Sequence, residues 1–295
     1  MDTEQARTFL NVVTAGNFLA AAHRLHVTQS TVSARIQALE NQLGAKLFTR
    51  GKHGAELTAA GRRFLRHAQT LVRTVETARQ DVGLPEGYSA GLTLSGRIAL
   101  WEGFLPRWVA WMRRSAPTIS LRLEIGFEAD IMQGLIHNTI DVGVLYTPEA
   151  RPGLAVERLF DETLVLVSTA PERPWPDPGY VHVDWGPEFF HQFSVYFPDH
   201  PPPALYANIG WLGLQHLTES GGSGYFPLRM AREALQEGRL HRVKDAPAFR
   251  LPAYVVFPLT RADTFLAQAV DGLRQLARAE NGETGAAKAG ANGPG

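Results

Sequence analysis

A run of polar side chains between residues 29 and 37 is the part of the chain whose residue types and spacing suggest chemistry. Its members are uncharged and able to hydrogen-bond, with Arg35 at their edge, and they are Gln29, Ser30, Thr31, Ser33 and Gln37. A solvated helix face usually carries Glu and Lys, whereas this run contains no carboxylate. Side chains of this kind can read base edges in the major groove of DNA.

Two short helices are needed to position that polar face. Asn17 and Thr28 are suitable N-cap residues, because their side-chain oxygens can accept a hydrogen bond from an otherwise free backbone amide. His26-Val27 then forms a tight connection between the helices. The second helix has apolar residues at steps of four, three and four, which are Val32, Ile36, Leu39 and Leu43. The pattern predicts a helix-turn-helix with one buried stripe.

A basic ribbon follows the two helices. Residues 46–50 and 55–58 are typical of two strands, and Gly51 and Gly54 bracket the turn between them. Basic side chains near the tip can lie along a DNA backbone or enter a minor groove, and they are Arg50, Lys52 and His53. With a first helix from Glu4 to Ala15, residues 1–58 are predicted to form a winged helix-turn-helix domain.

A long helix begins near Gly61 and carries apolar residues at steps of four and three. These residues are Phe64, Ala68, Leu71, Val75, Ala78 and Val82. Three heptads of this kind are long enough for a coiled-coil seam, so residues 59–87 are predicted to be a linker and dimerisation helix with its hinge. The alternative is an amphipathic helix that packs on its own domain. Pro85–Ser89 ends the helix.

Charge is unevenly divided between the two ends of the chain. Residues 1–83 hold 11 basic and 6 acidic side chains, a net charge of +5, and the remainder carries −5. A basic head on an acidic body is expected when only one end meets phosphate groups.

Composition excludes several other classes of protein. The 295 residues include no cysteine, which excludes a disulfide scaffold and a thiolate metal site. The N-terminal residues lack the apolar core of a signal peptide, and no stretch approaches the roughly 20 apolar residues of a membrane span. We therefore expect a cytoplasmic protein with no membrane partner.

The remainder of the chain alternates between strand and helix patterns, which favours parallel sheets with crossover helices. Residues 88–280 are expected to form two α/β subdomains, and Pro171–Pro178 separates them. The first subdomain comprises about 88–165 plus 256–280, and the second about 166–255. The last helix runs from about Thr264 to Ala279, and the Gly- and Ala-rich tail at 281–295 is expected to be disordered.

These residues resemble a known family. The run AAAHRLHVTQSTVSARIQALENQLGAKLFTR, which continues through LTAAG, resembles the DNA-binding domain of LysR-type transcriptional regulators over about the first 85 residues. The later part is more loosely similar to the effector-binding region of that family, at Pro106, Pro117, Ile140–Gly143 and the GGSGYFP run. The overall fold implied is α+β and multidomain. It has a winged helix-turn-helix, a linker helix and two α/β subdomains resembling the type 2 periplasmic-binding-protein fold, with the last helix folded back onto the first subdomain.

The resemblance also implies partners and DNA contacts. Double-stranded promoter DNA and an unknown small-molecule effector are the expected ligands, and RNA polymerase is a candidate partner. The linker helix implies a homodimer, often assembled into a homotetramer. The residues expected at the major groove are Gln29, Ser30, Thr31, Ser33 and Arg35, and those expected at the flanking backbone or minor groove are Arg50, Lys52 and His53.

The effector is expected in a cleft between the subdomains, because open α/β sheets bind ligands at the carboxyl ends of their strands. The expected contacts are Ser95, Gly96, Arg97, Phe127, Glu128, Asp184, Trp185, Gly222 and Ser223. Family members often have Ser or Thr where this chain has Arg97, which can either fix a carboxylate or be solvated. Trp185 is either a ligand platform or a core residue.

No pattern indicates an enzyme. The run Gly221–Tyr225 has tyrosine where a nucleophile elbow needs its final glycine, and it also fails the dinucleotide fingerprint. Four histidines lack the paired spacing of a helical zinc site, and they are His182, His191, His200 and His216. We therefore expect no catalytic residue, metal or cofactor.

Three alternative functions are open. A solute-binding protein would fit residues 90–280 but needs an export signal. An enzyme with a DNA-binding head would need a catalytic constellation. A ligand-responsive regulator that has lost effector binding would keep the whole architecture.

Overall fold

The computed structural model describes residues 1–51, 54–173, 175–259 and 264–289. Two compact units make up the chain: Met1–Gly91 together with Gln133–Ile140, and Leu92–Met132 together with the chain from Asp141 onward. We call residues 1–91 the head and the second unit the body. Across the described ranges, none of the helices combines the length and apolar character of a membrane span.

The head begins with three helices, and both predicted caps are confirmed. The elements are α1 (Thr3–Ala15), α2 (Phe18–Leu25), α3 (Gln29–Leu43), β1 (Phe48–Gly51), β2 (Gly54–Leu57) and α4 (Ala59–Val82). The Asn17 side chain accepts a hydrogen bond from Ala20 N at 2.7 Å, and Thr28 Oγ1 accepts one from Thr31 N at 3.2 Å. The helix-turn-helix therefore forms where local capping chemistry predicts it.

One apolar core joins the four helices of the head to the ribbon. The Phe9 ring lies at its centre, 5.1 Å from the ring of Phe48 and 5.0 Å from that of Phe64. Helix α3 contributes Val32, Ile36 and Leu39 to this core. The predicted stripe also included Leu43, which is instead exposed, because the helix ends there and Gly44 turns the chain with a φ of +65°.

Helix α4 changes character along its length, which corrects the prediction of a continuous dimerisation seam. Phe64 and Ala68 are buried in the core of the head, as is Val72. An ion pair between Arg7 and Glu76 also joins α1 to α4. The alternative that α4 packs on its own domain therefore holds for its first half.

The seam residues further along α4 lie progressively nearer the surface. Leu71 and Val75 are half-buried, Ala78 is exposed, and Val82 is 90% exposed. The exposed members of the predicted seam therefore lie at the end of the helix.

In the described part of the body, nine strands form one mixed sheet. They are β3 (Ala90–Gly96), β4 (Ile119–Ile125), β5 (Val142–Leu145), β6 (Leu154–Ser168), β7 (Tyr180–Val183), β8 (Leu205–Ala207), β9 (Ser223–Pro227), β10 (His241–Arg242) and β11 (Phe249–Pro258). The order is β4-β3-β5-β11-β6-β9-β7-β8, and β10 pairs with β6. Parallel pairing is confirmed for β3 with β5 and for β7 with both β8 and β9.

Two long antiparallel strands join the halves of this sheet. β6 pairs with β11 from Leu154 to Leu164 and with β9 from Leu164 to Ser168. β11 pairs in turn with β5. The register between β6 and β11 shifts at Ala253/Tyr254. The sheet is therefore continuous, with β4, β3 and β5 in a first half and β9, β7 and β8 in a second.

Helices cover the sheet and close its core. They are α5 (Leu105–Ser115), α6 (Glu128–His137), α7 (Pro187–Tyr196), α8 (Gly210–Ser220), α9 (Leu228–Gln236) and α10 (Thr264–Ala289), with a 3-10 helix at Ile98–Trp101. The buried indole of Trp108 on α5 donates to Ala269 O of α10 at 2.9 Å. The last helix thus packs on α5, in line with what the family resemblance implied.

Helix α10 ends later than the sequence predicted. The sequence placed a disordered tail from residue 281, whereas the helix continues to Ala289. Alanine has the highest helix propensity, and residues 286–289 read Ala-Ala-Lys-Ala. Residues 290–295 lie outside the described ranges.

Candidate functional site

The polar face of α3 is accessible at its amino end. Gln29, Ser30 and Ser33 are exposed, and Thr31 is half-buried. The hydroxyl of the capping residue Thr28 lies 2.8 Å from the hydroxyls of both Ser30 and Thr31. The first turn of α3 therefore carries an ordered set of hydroxyl groups beside the exposed amide side chain of Gln29.

A groove of about 800 Å³ brings this face together with the ribbon. Its lining includes Gln29, Ser33 and Gln37 from α3, together with Thr49, Gly54 and Ala55 from β1 and β2. The sequence assigned α3 and the ribbon to one nucleic-acid surface, and the two elements share this groove.

Backbone hydrogen bonding fixes the position of the ribbon. Ala55 N donates to Gly16 O at 2.7 Å, between α1 and α2. Gly54 has a φ of +126°, and a Cβ at this position would overlap Gly16 O. A side chain at residue 54 is therefore incompatible with the contact.

Glu40 fixes the start of the ribbon, a role that the sequence analysis missed. Its buried carboxylate accepts hydrogen bonds from Leu47 N at 2.8 Å and from Lys46 Nζ at 2.7 Å. The available signal was an acidic residue next to Leu39 on the apolar side of α3.

Of the other residues predicted to contact DNA, Arg35 is the one whose side chain the structure describes. Arg35 Nη1 lies 3.3 Å from Glu4 Oε2 and 3.4 Å from Thr8 Oγ1, so its guanidinium is turned towards α1. Lys52 and His53 lie outside the described residues, and so does the side chain of Arg50.

In the body, the predicted ligand residues of the first half of the sheet meet at one edge. Arg97 N donates to Val144 O at 3.0 Å, and Gly126 N donates to Gly96 O at 3.2 Å. These bonds place the turn that contains Ser95, Gly96 and Arg97 beside the segment that follows β4. Arg97 Nε lies 3.0 Å from Glu128 Oε1, and its guanidinium carbon lies 4.9 Å from the centre of the Phe127 ring.

In the second half of the sheet, the residues predicted to contact the ligand lie in two separate places. Parallel pairing of β7 with β9 sets Tyr180 opposite Ser223, so Gly222 and Ser223 lie at the amino ends of these strands. Asp184 and Trp185 follow the carboxyl end of β7, about 13 Å away at about 3.3 Å per residue. The glycine-rich run precedes β9, whereas a ligand turn would follow it, and this corrects the assignment of Gly222 and Ser223.

Ser223 has a structural partner where it lies. Its hydroxyl donates to Asp177 Oδ2 at 2.7 Å, and both side chains are buried. The Asp177 carboxylate also accepts a hydrogen bond from Gly179 N at 2.8 Å. This cluster closes the loop that leads into β7.

Trp185 is a core residue, which settles the alternative that the sequence left open. The side chain is 4% exposed and its indole donates to Tyr225 O at 2.8 Å. A Cβ at Gly210 would overlap the ring, so α8 packs directly on it. Asp184, its neighbour, is exposed and accepts a hydrogen bond from Gly186 N at 3.0 Å.

Three buried polar residues near the turn that contains Arg97 were not identified from the sequence. Arg229 forms an ion pair with Glu162, and Tyr146 donates to Glu162 Oε1 at 3.3 Å. Arg229 Nη2 also donates to Ala99 O at 3.1 Å. Burial raises the pKa of Glu162 and raises the pKa of Tyr146 well above its usual value. The signal for Glu162 was a carboxylate two residues before the apolar run Leu164–Val167.

Comparison with protein families finds two family models that match separate parts of the chain. The model described as bacterial regulatory helix-turn-helix protein, lysR family, matches residues 3–62, and the LysR substrate binding domain matches residues 87–185. The HTH-type transcriptional regulator HdfR of Escherichia fergusonii is 30% identical over 260 residues, which cover 87% of this chain and 92% of that protein. HdfR of Salmonella typhimurium gives the same identity and coverage.

Solved structures share the fold. ArgP from Mycobacterium tuberculosis has a TM-score of 0.59 at 23% identity, covering 94% of this chain and 97% of that one. LysG from Corynebacterium glutamicum with bound effector Arg has a TM-score of 0.57 at 20% identity, covering 94% and 98%. CbnR complexed with its target DNA has a TM-score of 0.51 at 24% identity, covering 94% and 100%. The chain belongs to the LysR family of bacterial helix-turn-helix transcriptional regulators.

Proposed function

We propose that this protein regulates transcription by reading promoter DNA with α3 and the ribbon, and by binding a small molecule in the body. The single observation that carries the proposal is the accessible, carboxylate-free start of α3, which shares one groove with the ribbon. Residues 1–58 then read DNA, residues 59–87 pair the subunits, and residues 88–280 respond to the ligand. A protein with this task works in the cytoplasm, where the promoter is.

The geometry of α3 suits entry into a major groove. In a helix-turn-helix the amino-terminal residues of the second helix contact base edges while the first helix crosses the backbone. Gln29, Ser30 and Ser33 are exposed at that end of α3. Thr31 supports them through the Thr28 hydroxyl, and the basic tip of the ribbon serves the flanking phosphates.

Arg35 has a different role in this proposal. Its ion pair with Glu4 holds the guanidinium at the border of α1 and α3. From there Arg35 supplies phosphate affinity once the pair opens, and base recognition falls to the uncharged side chains. Phosphate contacts add affinity that depends on salt and is independent of sequence.

Two copies are needed to read two half-sites at a fixed spacing. In helix-turn-helix dimers the half-sites lie about 34–36 Å apart, one turn of DNA. The end of α4 provides the pairing surface, because Ala78 and Val82 are exposed there. A homodimer that assembles further into a homotetramer is the proposed state, and RNA polymerase is the proposed partner at the promoter.

The ligand site of the body lies at the edge formed by Ser95–Arg97, Phe127 and Glu128. The unpredicted trio of Tyr146, Glu162 and Arg229 closes the same region through the contact of Arg229 with Ala99 O. A ligand at this edge meets residues at the carboxyl ends of β3 and β4 together. If the ligand binds one arrangement of the subunits more tightly than another, its binding shifts the population towards that arrangement.

An electrophoretic mobility shift with genomic fragments tests the proposal. The full-length protein should retain a fragment from its own upstream region in the presence of excess random DNA. A solute-binding protein would retain none. Equal retention of every fragment would contradict sequence-specific recognition, and a regulator without an effector would shift DNA but bind no small molecule.

A further inference from the structure

We infer that a cavity in the second half of the sheet binds a small uncharged phenol, whose hydroxyl group forms a hydrogen bond with the buried ring of His182. The cavity has a volume of about 260 Å³ and lies between β7, α7 and the segment that leads into β8. Three consecutive prolines at 201–203 line it, together with His182, Phe190, Phe193, Phe197, His200 and Tyr206. The inference goes beyond the proposed function and stands without it.

This cavity is separate from the ligand site of the proposed function. In the described sheet, four strands lie between β3 and β7. Neighbouring strands lie about 4.8 Å apart, so the two sites are about 24 Å apart along the sheet. The cavity belongs to the edge at β8, whereas the other site lies near β4, and the two share no lining residue.

His182 occupies a core position on β7 without a partner for its ring. The side chain is 5% exposed, and what remains exposed lines the cavity. Val181 and Val183 point to the opposite face of the strand, where Gly213 of α8 packs against both. Within the described ranges, no residue shares a hydrogen bond with the His182 ring, and its nitrogens are not sealed from the cavity. A buried polar group without a partner is costly, so this imidazole favours a ligand that can pair with it.

The charge of the lining favours an uncharged ligand. All lining residues lie within the described part of the chain, and they include no Asp, Glu, Lys or Arg. Burial lowers the pKa of His182, so its imidazole is neutral at neutral pH and has one donor nitrogen and one acceptor nitrogen. A hydroxyl group matches either nitrogen, because it both donates and accepts. A carboxylate or an ammonium group would instead be buried here without a counter-charge.

The ring contacts favour an aromatic ligand. Tyr206 stacks on His182 at 5.2 Å with an angle of 20° between the rings, and Phe193 meets it edge-on at 5.6 Å. Aromatic rings attract one another in such arrangements at about 4.5–7 Å between centres. An apolar cavity of about 150 Å³ is large enough to bind benzene. The 260 Å³ of this cavity therefore has room for one substituted ring.

His200 forms a wall of the cavity and is not a ligand contact. Its Nδ1 donates a hydrogen bond to Pro201 O at 2.7 Å, which fixes the ring. Its Nε2 has no partner among the described residues, but it is sealed from solvent and a ligand cannot reach it.

The other hydroxyl groups of the lining already have acceptors. Ser194 Oγ donates to Phe190 O at 2.8 Å, within α7. The Tyr206 hydroxyl pairs with the Asp184 carboxylate. His182 is therefore the polar group of the lining that is available to a ligand hydroxyl.

A ligand-observed NMR titration of the full-length protein tests the inference, with phenol and anisole as the probes. Anisole has the same ring but carries a methyl ether, so it cannot donate a hydrogen bond. His182→Phe keeps a planar ring and removes both nitrogens, and Ser194→Trp adds bulk at an exposed position of the lining. The control His191→Phe makes the same change at an exposed position of α7 outside the lining. Circular dichroism is recorded on every preparation.

Phenol should bind the unmodified protein and His191→Phe equally, and about three- to tenfold more tightly than anisole, the usual net effect of one hydrogen bond. His182→Phe should remove this preference, and Ser194→Trp should weaken the binding of both probes. If His182→Phe does not fold, the ratio of phenol to anisole affinity in the unmodified protein and the effect of Ser194→Trp decide. Equal binding of phenol and anisole, unchanged phenol binding in folded His182→Phe or Ser194→Trp, or no binding of phenol overturns the inference.

Discussion

Arg35 Nη1 lies 3.3 Å from Glu4 Oε2, so a residue predicted to face DNA is paired with the first helix of its own head. Both side chains are partly exposed, and ion pairs of that kind contribute only about 0–1 kcal/mol. The pair is therefore weak enough to open when a phosphate group approaches. In the proposed function, DNA binding and the packing of α1 on α3 compete for the same guanidinium.

Replacing Glu4 with Gln should release Arg35 for phosphate contact. Affinity for random duplex should rise, and the slope of log K against log salt should steepen by about one unit, since each neutralised phosphate contributes about 0.9. Fluorescence anisotropy over a salt series measures both quantities. Glu86→Gln makes the same change of charge at an exposed position beyond α4. An equal effect in this control would show that net charge, rather than Arg35, is responsible.

Gln29→Ala should relax sequence preference, whereas Arg50→Ala should weaken binding to every sequence. One bidentate base contact contributes about 1–3 kcal/mol of discrimination, so the ratio of operator to random affinity should fall by about tenfold in Gln29→Ala. Competition binding on both duplexes gives that ratio. Equal losses on operator and random DNA for Gln29→Ala would refute its assignment to base recognition.

Gly54→Ala should destabilise the head more than Gly44→Ala. Both glycines have positive φ, but a Cβ at Gly44 meets no atom within 4 Å whereas one at Gly54 overlaps Gly16 O. Gly44→Ala should cost about 1–2 kcal/mol of unfolding free energy from backbone strain. Gly54→Ala should cost about 1 kcal/mol more, because the Ala55–Gly16 hydrogen bond is also disturbed. Urea denaturation compares the two, and equal costs would count against the contact.

Trp185→Ala should destabilise the body by about 3–5 kcal/mol, the usual cost of removing a large buried aromatic side chain. Trp211→Ala on α8 is the matched control, because that indole is 46% exposed. Calorimetric unfolding measures both variants, and the control should remain within about 1 kcal/mol of the parent. A mild effect of Trp185→Ala combined with lost ligand binding would restore Trp185 as a ligand platform.

Val82→Glu should dissociate the dimer without changing the stability of the head. Val82 is 90% exposed within one chain and is the last residue of the predicted seam, so a partner helix is its expected contact. Thr70→Glu introduces the same charge at an exposed position away from the predicted seam. Sedimentation velocity should show a smaller species for Val82→Glu alone. A dimer unaffected by Val82→Glu would place the subunit contact elsewhere.

The head was predictable because its signals are local. Asn17 and Thr28 cap helices through hydrogen bonds that span three residues, and the steps of four and three along α3 name its core side chains. The direction of Arg35 was not predictable, since it depends on Glu4, 31 positions away in the sequence.

For the body, the sequence predicted the fold class but not the pairing of the strands. Alternating strands and helices indicated parallel pairing, but the antiparallel β6 and β11 pair residues about 90 positions apart. Gly222 and Ser223 were misassigned because a glycine run has the same composition before a strand as after it. Tyr146, Glu162 and Arg229 come from three separate segments, so only the folded sheet brings them together.

The hydrogen bond from Ala55 to Gly16 has a consequence for operator choice. It ties the ribbon to the junction between α1 and α2, so the two parts of the head that we propose to contact DNA are held at a fixed separation. The length of duplex that a single head covers is then a constant of the fold. In the proposed function, a ligand in the body then changes the distance or the angle between the heads of an oligomer, and the phasing of half-sites along the double helix distinguishes one promoter from another.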